Sequence, residues 1–448
     1  MSATTSQARP AIRHRGWWRR PAVVIAAAGL TAVAAACGGS AGSSSHSALT
    51  FADVAPFSGP DAALGPIYLV SCDGAVSAIN QAGGILGHKV SCTSADTRGE
   101  PADAVPAVGN LLSTAKNLKL VIGCTSDEAA SVVPVINKAK VVMFCMTGQS
   151  EFDHVKYPYF YRLVPPDLAE SYAMTVIAQR LGYKKIALAF GNDIGSQTFV
   201  QPAVAAVAKA GLRVVANETL DLNATTFRTE AASIVAAHPD AIMTEALGNA
   251  DPTLFAEIKQ LNGGKMIPII GTSAAISPVF YAACAKAVGA SAFAASFHAD
   301  NLVTATSGPA YQAFTKALLS VKGKVSGAQT GDFTTYFTAP GAVHLYDGMN
   351  LAALSMVAAK STDVAKWKPW IARIGNGVPG AVVVHSFAQG VAALNAGKKI
   401  RYIGPGGPTA FDAYHDSPGI FQIDTYSTSG AVQVAGTITA AQLRAVTP

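Results

Sequence analysis

Two hydroxyl residues, Thr125 and Ser126, follow the apolar run LKLVIGC. At the end of a strand, together with the first backbone N–H groups of a following helix, such residues can cradle a carboxylate. They equally suit an ordinary helix N-cap, where the side-chain oxygen takes up a backbone N–H. Thr147, in CMTG, stands just past the next apolar run, VVMFC, and Ser58 lies in the loop PFSGP after the first. Groups of this kind hold and orient a polar solute. No catalytic constellation accompanies them: HExxH, paired CxxC and a P-loop are missing from the chain, and GxSxG occurs only as GGSAG in the Gly/Ser stretch at residues 38–42, outside any strand-to-helix turn. The nine histidines are dispersed, and His344, His385 and His415 show no ligand spacing. A GxGxxG turn after the first strand is also missing, which counts against a nucleotide-using enzyme. The expectation is a binder rather than an enzyme, with no cofactor and no metal.

These residues need elements to position them, and the chain supplies an alternation of strands and helices. Leu49 to Val54 reads as a strand, and Gly65 to Asn80 as a helix with Ile67, Val70, Val76 and Ile79 on one face. Gly83 and Gly84 stop that helix. Lys89 to Thr93 is a second strand, and Pro101 opens a helix where proline is tolerated. Leu118 to Gly123 and Val141 to Cys145 are strands of continuous apolar type, with a helix from Ser126 between them. Such runs indicate a parallel sheet covered on both faces. The cycle restarts with strands at Lys185 to Phe190, Arg213 to Glu218, Ala241 to Glu245 and Ile267 to Gly271. Two prolines within Tyr161 to Asp167 mark the boundary. Ala310 to Ala396 reads as mostly helical, and Arg401 to Gly436 as strands and turns. A chain of 448 residues fits two such domains.

The N-terminus reads as a processing segment. Five arginines (Arg9, Arg13, Arg15, Arg19, Arg20) precede an apolar run from Pro21 to Ala36. That run is short for a membrane span, which needs about 20 apolar residues. A basic region, a short apolar core and small residues describe an export signal over residues 1–36. Cys37 follows at once, and residues 38–48 form a flexible Gly/Ser tether. A cysteine directly after small residues resembles the lipobox of bacterial lipoproteins, with Ala34 where leucine is usual. This implies a lipid on Cys37 holding the protein to the outer face of the cell membrane. A plain secretory cut near Ala36 is the alternative. The chain carries 33 basic and 27 acidic residues; without the five signal arginines, 28 face 27, a net charge of +1. No basic run survives, so nucleic-acid binding has no electrostatic footprint.

Four further stretches carry a wider resemblance: Ala75 to Thr97 (AVSAINQAGGILGHKVSCTSADT), Leu118 to Cys145, Tyr159 to Asp167 (YFYRLVPPD) and Tyr402 to Asp416 (YIGPGGPTAFDAYHD). In this order they resemble the type I periplasmic binding proteins, specifically the branched-chain amino acid binding family of ABC transporters. The resemblance covers Leu49 to about Gly436. It implies an α/β fold of two Rossmann-like lobes joined by a three-strand hinge, with the ligand cleft between them. Crossings near residues 163, 298 and 419 would make lobe 1 from 49–163 with 299–418, and lobe 2 from 164–298 with 419–448. It further implies a monomer that delivers a small molecule to an ABC import permease. A ligand-sensing receptor of the same fold is the alternative.

The resemblance also places site residues. Thr125, Ser126 and Thr147, with Ser58 a weaker candidate, would anchor the ligand from lobe 1. In lobe 2 the loop GNDIGSQ, with Asp193 and Ile194, would face the cleft. Ile194 stands where the family often has an aromatic residue, and Ser273 where amino-acid binders often have Glu. Glu245 is either a replacement acid or a solvated strand-end charge. With the ammonium-reading half altered, the expected ligand is small, largely apolar, and anionic or carbonyl-bearing, rather than a free branched-chain amino acid. Spacing alone does not set cysteine pairing. The fold implied by the resemblance brings together Cys72 with Cys92 and Cys124 with Cys145, leaving Cys284 free.

Overall fold

The computed structural model describes residues 47–246, 248–326, 333–417 and 419–448. The expected signal, Cys37 and nearly all of the tether lie outside these described residues. Five strands form the first sheet: β1 (Leu49–Ala55), β2 (Val90–Asp96), β3 (Leu118–Gly123), β4 (Val142–Cys145) and β5 (Phe160–Arg162). Their order is β2-β1-β3-β4-β5, all parallel. Helices α1 (Gly65–Gln81), α2 (Pro101–Thr114) and α3 (Ser126–Lys138) connect the first four strands. The helix Pro340–Ala359 returns from far along the chain to pack on α1. It is buried continuously from Pro340 to Val357. Such all-round burial suits a helix apolar on every face.

The second sheet begins after helix α4 (Asp167–Arg180). Its strands are β6 (Lys185–Gly191), β7 (Arg213–Leu220), β8 (Ala241–Glu245), β9 (Ile269–Gly271) and β10 (Phe297–Leu302). A parallel pair β11 (Val382–Val384) and β12 (Ile400–Tyr402) stands apart. Strands β13 (Phe421–Tyr426) and β14 (Val432–Ile438) complete the second sheet as β14-β13-β10-β9-β8-β6-β7. β13 and β14 run antiparallel, an edge the expectation of a purely parallel sheet did not contain. A short connection between them permits this, since antiparallel neighbours need no crossover helix.

Three segments pass between the two lobes. At the first, Leu163 is buried in the core beside the first sheet and the adjacent Val164 in the core of the second. The second crossing involves β10, which starts at Phe297. Ala299 to Leu302 remain paired with β13, so residues 299–302 belong to the second sheet. The physical reason is that β10 is extended by its antiparallel partner beyond its pairing with β9. At the third, Gly419 takes φ 62° and lies against Pro165 and Leu302, a conformation and approach that suit glycine. The Val303 N–H donates to the Ile420 carbonyl at 2.8 Å, tying two crossings together.

Both cysteine pairs are bridged, with Cα separations of 6.1 Å for Cys72–Cys92 and 5.4 Å for Cys124–Cys145. Cys284 is free and buried. Among the described residues, no single helix is long and apolar enough to cross a membrane.

Candidate functional site

Strand register decides what meets in the cleft. Val54 pairs with Gly123, and Ile122 with Phe144, so β1, β3 and β4 end at one level. Phe190 pairs with Glu245, and Thr244 with Gly271, so β6, β8 and β9 end level too. The residues just past these ends enclose a cavity of about 110 Å³ between the lobes. Open α/β sheets place ligands at this position.

The turn after β3 is tight. Gly123 has φ 95°, and a Cβ there would collide with the Val54 carbonyl. Cys124 then takes φ 54°, and its N–H donates to Val54 O at 2.6 Å. This delivers Thr125 and Ser126 to the cavity wall. Thr125 works as a helix cap. Its N–H donates to Glu128 Oε1 at 3.1 Å and its hydroxyl donates to the other Glu128 oxygen. Ser126 Oγ lies 3.2 Å from Thr147 Oγ1. Thr147 is fully buried behind that contact and does not line the cavity.

In lobe 2, Asp193, Glu245 and Ser273 line the cavity. Asp193 caps the short helix Ile194–Gln197 by accepting from Ser196 N at 2.7 Å. Glu245 accepts from the Thr272 hydroxyl. Ser273 donates from both backbone and hydroxyl to Glu170, at 3.2 and 3.1 Å. Two expected residues stand elsewhere. Ser58 is held by Asp96, its hydroxyl donating at 2.6 Å. Ile194 is half exposed and borders an outer groove with Pro60 and Leu222, which adjoins the cavity through Asp61, Asp127 and Asp193.

Four acids in the wall were not among the expected residues: Asp61, Asp127, Asp167 and Glu170. Asp127 and Asp167 open α3 and α4, where carboxylates complement the helix dipole. That common role hides them in the sequence. The Gly195 N–H donates to Asp127 Oδ1 at 2.9 Å, joining the two lobes across the cleft. Burial drives the Asp61 carboxyl up to about 9, with the charge and hydrogen bond of Asp127 adding to the rise. Burial likewise lifts Asp127 to about 6 and Asp167 to about 8. Burial raises Glu170 and Glu245 as well. Among the described residues no Lys, Arg or His lines the cavity. Acids thus crowd the wall beside the expected hydroxyl residues, and the helix N-termini already carry carboxylates of their own.

Two lobes hinged by three crossings, closed over a cavity at their strand ends, define a solute-binding architecture. The sequence model described as Periplasmic binding protein matches residues 49–368, and the chain belongs to that family. The Leu/Ile/Val-binding protein homolog 3 of Brucella melitensis is 35% identical over 107 residues, 24% of this chain and 28% of that protein. The chain thus spans under a third of the curated relatives it matches, 28% of each. Among solved structures, the leucine-binding protein of Thermotoga maritima has a TM-score of 0.69 at 18% identity, covering 88% of this chain and 99% of that one. A fatty acid ABC transporter substrate-binding protein from Thermomonospora curvata also scores 0.69, at 16% identity, covering 89% and 94%. These likenesses establish the fold; the solutes differ between those two proteins.

Proposed function

We propose that the protein captures a small solute between its lobes outside the cytoplasm and passes it to an ABC import permease. The observation that carries this reading is the closed inter-lobe cavity, spanned by the Gly195–Asp127 hydrogen bond. Closure by a hinge couples ligand capture to a shape that a permease can recognise. Two disulfides suit an exported chain, since oxidising compartments preserve them. A lipid on Cys37 would hold the body near the membrane through the tether at residues 38–48. We assign ligand contact to Ser126, Asp193, Glu245 and Ser273, with Thr125 and Thr147 supporting the first of these. The lobes divide at residues 163 and 419, with the middle crossing after 302, and the protein acts as a monomer. A sensing role with the same cleft would replace the permease by a signalling partner.

A thermal-shift panel of amino acids, amides, small acids and amines tests the reading. One chemical class is expected to raise the melting temperature with concentration, because a ligand bound only to the folded state stabilises it. A flat response to every class would contradict solute binding.

A further inference from the structure

We propose that the solute of this cleft is a small organic cation with at least two basic nitrogens and no carboxylate, its charged ends held by two groups of carboxyls. This rests on the solute-binding reading and names the ligand class of that site.

The carboxyls fall into two neighbourhoods. Asp61 and Asp127 hydrogen-bond to each other and feel the charge of Asp193. Glu245 feels Asp193 as well, together with Glu170 and Asp167. Asp193 therefore stands between the two groups. The same cavity is lined by apolar residues as well, Leu64, Ile67 and Tyr68 from lobe 1 and Phe199 from lobe 2. A carbon chain that carries more than one amine matches a wall that combines several acids with apolar residues.

The acceptors also lack donors. Asp193 Oδ2 is buried with no hydrogen-bond partner. Asp300 is fully buried beside Glu170 and does not itself line the cavity. An ionised carboxylate only accepts hydrogen bonds, while an ammonium brings three donors. The Arg162 guanidinium, whose field reaches Asp167, is itself paired with Asp153 at 2.6 Å and Asp416 at 3.0 Å. Among the described residues, no group of three or more His, Cys, Asp or Glu side chains is arranged to hold a metal ion.

Proton linkage follows from the charges lining the cavity, Asp61 and Asp127 from lobe 1 and Asp167, Glu170, Asp193 and Glu245 from lobe 2, with Glu128 and Asp300 buried next to them. Arg162 is the neighbouring cation, and Tyr68 faces the same space. Burial holds protons on several of these carboxyls when no cation is present. An ammonium favours the ionised forms, so its binding releases protons and tightens as pH rises. An anion would do the reverse.

Calorimetry on the purified protein with putrescine and spermidine, in two buffers of different ionisation enthalpy, tests this directly. Benzoate, leucine and calcium chloride form the comparison arms. The expected result is amine binding with net proton release, about tenfold or more tighter at pH 8 than at pH 5.5. Glu245→Gln and Asp193→Asn should each weaken it about tenfold or more while the ligand-free melting temperature holds. Amine binding without proton release, or unmoved by both substitutions, overturns the proposal. Binding of benzoate, leucine or calcium without the amines overturns the ligand class and leaves solute binding standing. Silence from every arm overturns both.

Discussion

Asp167 shows how the cleft trades stability for binding at the level of one side chain. It starts α4 and accepts from the Thr198 hydroxyl at 2.5 Å, yet burial lifts its carboxyl to about 8. Its folded value thus exceeds the ordinary carboxylate value of 3.8. The folded state holds the proton across roughly pH 4 to 8, so this contribution to stability is fullest at the acid end and is lost as pH rises. Asp167→Asn should therefore stabilise the ligand-free protein at pH 8 by about 1–3 kcal/mol and leave it nearly unchanged near pH 4. Denaturant unfolding at the two pH values measures this; destabilisation at pH 8 would show that the charged form is favoured in the fold. In the sequence Asp167 was legible only as a residue after two prolines. Asp127 and Glu170 sit in the first turns of α3 and α4, where nothing local in the sequence distinguishes a dipole complement from a cleft wall. Glu245 was legible as a strand-end acid with two readings, and only the register of β8 beside β6 resolves where it stands.

At the scale of elements, both disulfides lie within the first lobe and tie neighbours along the chain. Cys72–Cys92 fastens α1 to β2, and Cys124–Cys145 fastens the turn after β3 to the end of β4. The second bridge braces the strained turn that presents Thr125 and Ser126. Their sequence separations, 20 and 21 residues, are short. Replacing Cys124 and Cys145 together by serine should cost ~2–4 kcal/mol, largely through the unfolded chain. Denaturant unfolding of the variant checks the magnitude, and a change under ~0.5 kcal/mol would assign the bridge no role in stability. Strands were well legible here because buried parallel strands are continuously apolar, as in LKLVIG and VVMFC. The two antiparallel edge strands were less so. Val432 to Ile438 is largely exposed, so this stretch of the tail lacks the continuous apolar run of a buried strand. The length of β10 was hard to read for the same reason: residues 299–302 find their partner in β13, far along the chain.

For the whole molecule, attachment and closure are the two properties that matter. Cys37→Ala should release the protein from membranes or block its processing, as membrane fractionation would show; normal cleavage with unchanged membrane retention would refute lipidation there. Closure concerns the three crossings, where Gly419 packs on Pro165 and Leu302 and Val303 pairs with Ile420. So compact a hinge lets the lobes swing as units about a narrow waist, and a solute that contacts both walls favours the closed arrangement. Separate hydrophobic clusters flank each sheet, two on the first and three on the second, and two of them adjoin at the neighbouring residues Leu163 and Val164. Small-angle X-ray scattering, on the protein alone and saturated with the tightest binder from the thermal-shift panel, tests the central claim most directly. The account predicts that the radius of gyration and the maximum dimension both fall on saturation. Full occupancy with an unchanged scattering curve would contradict it.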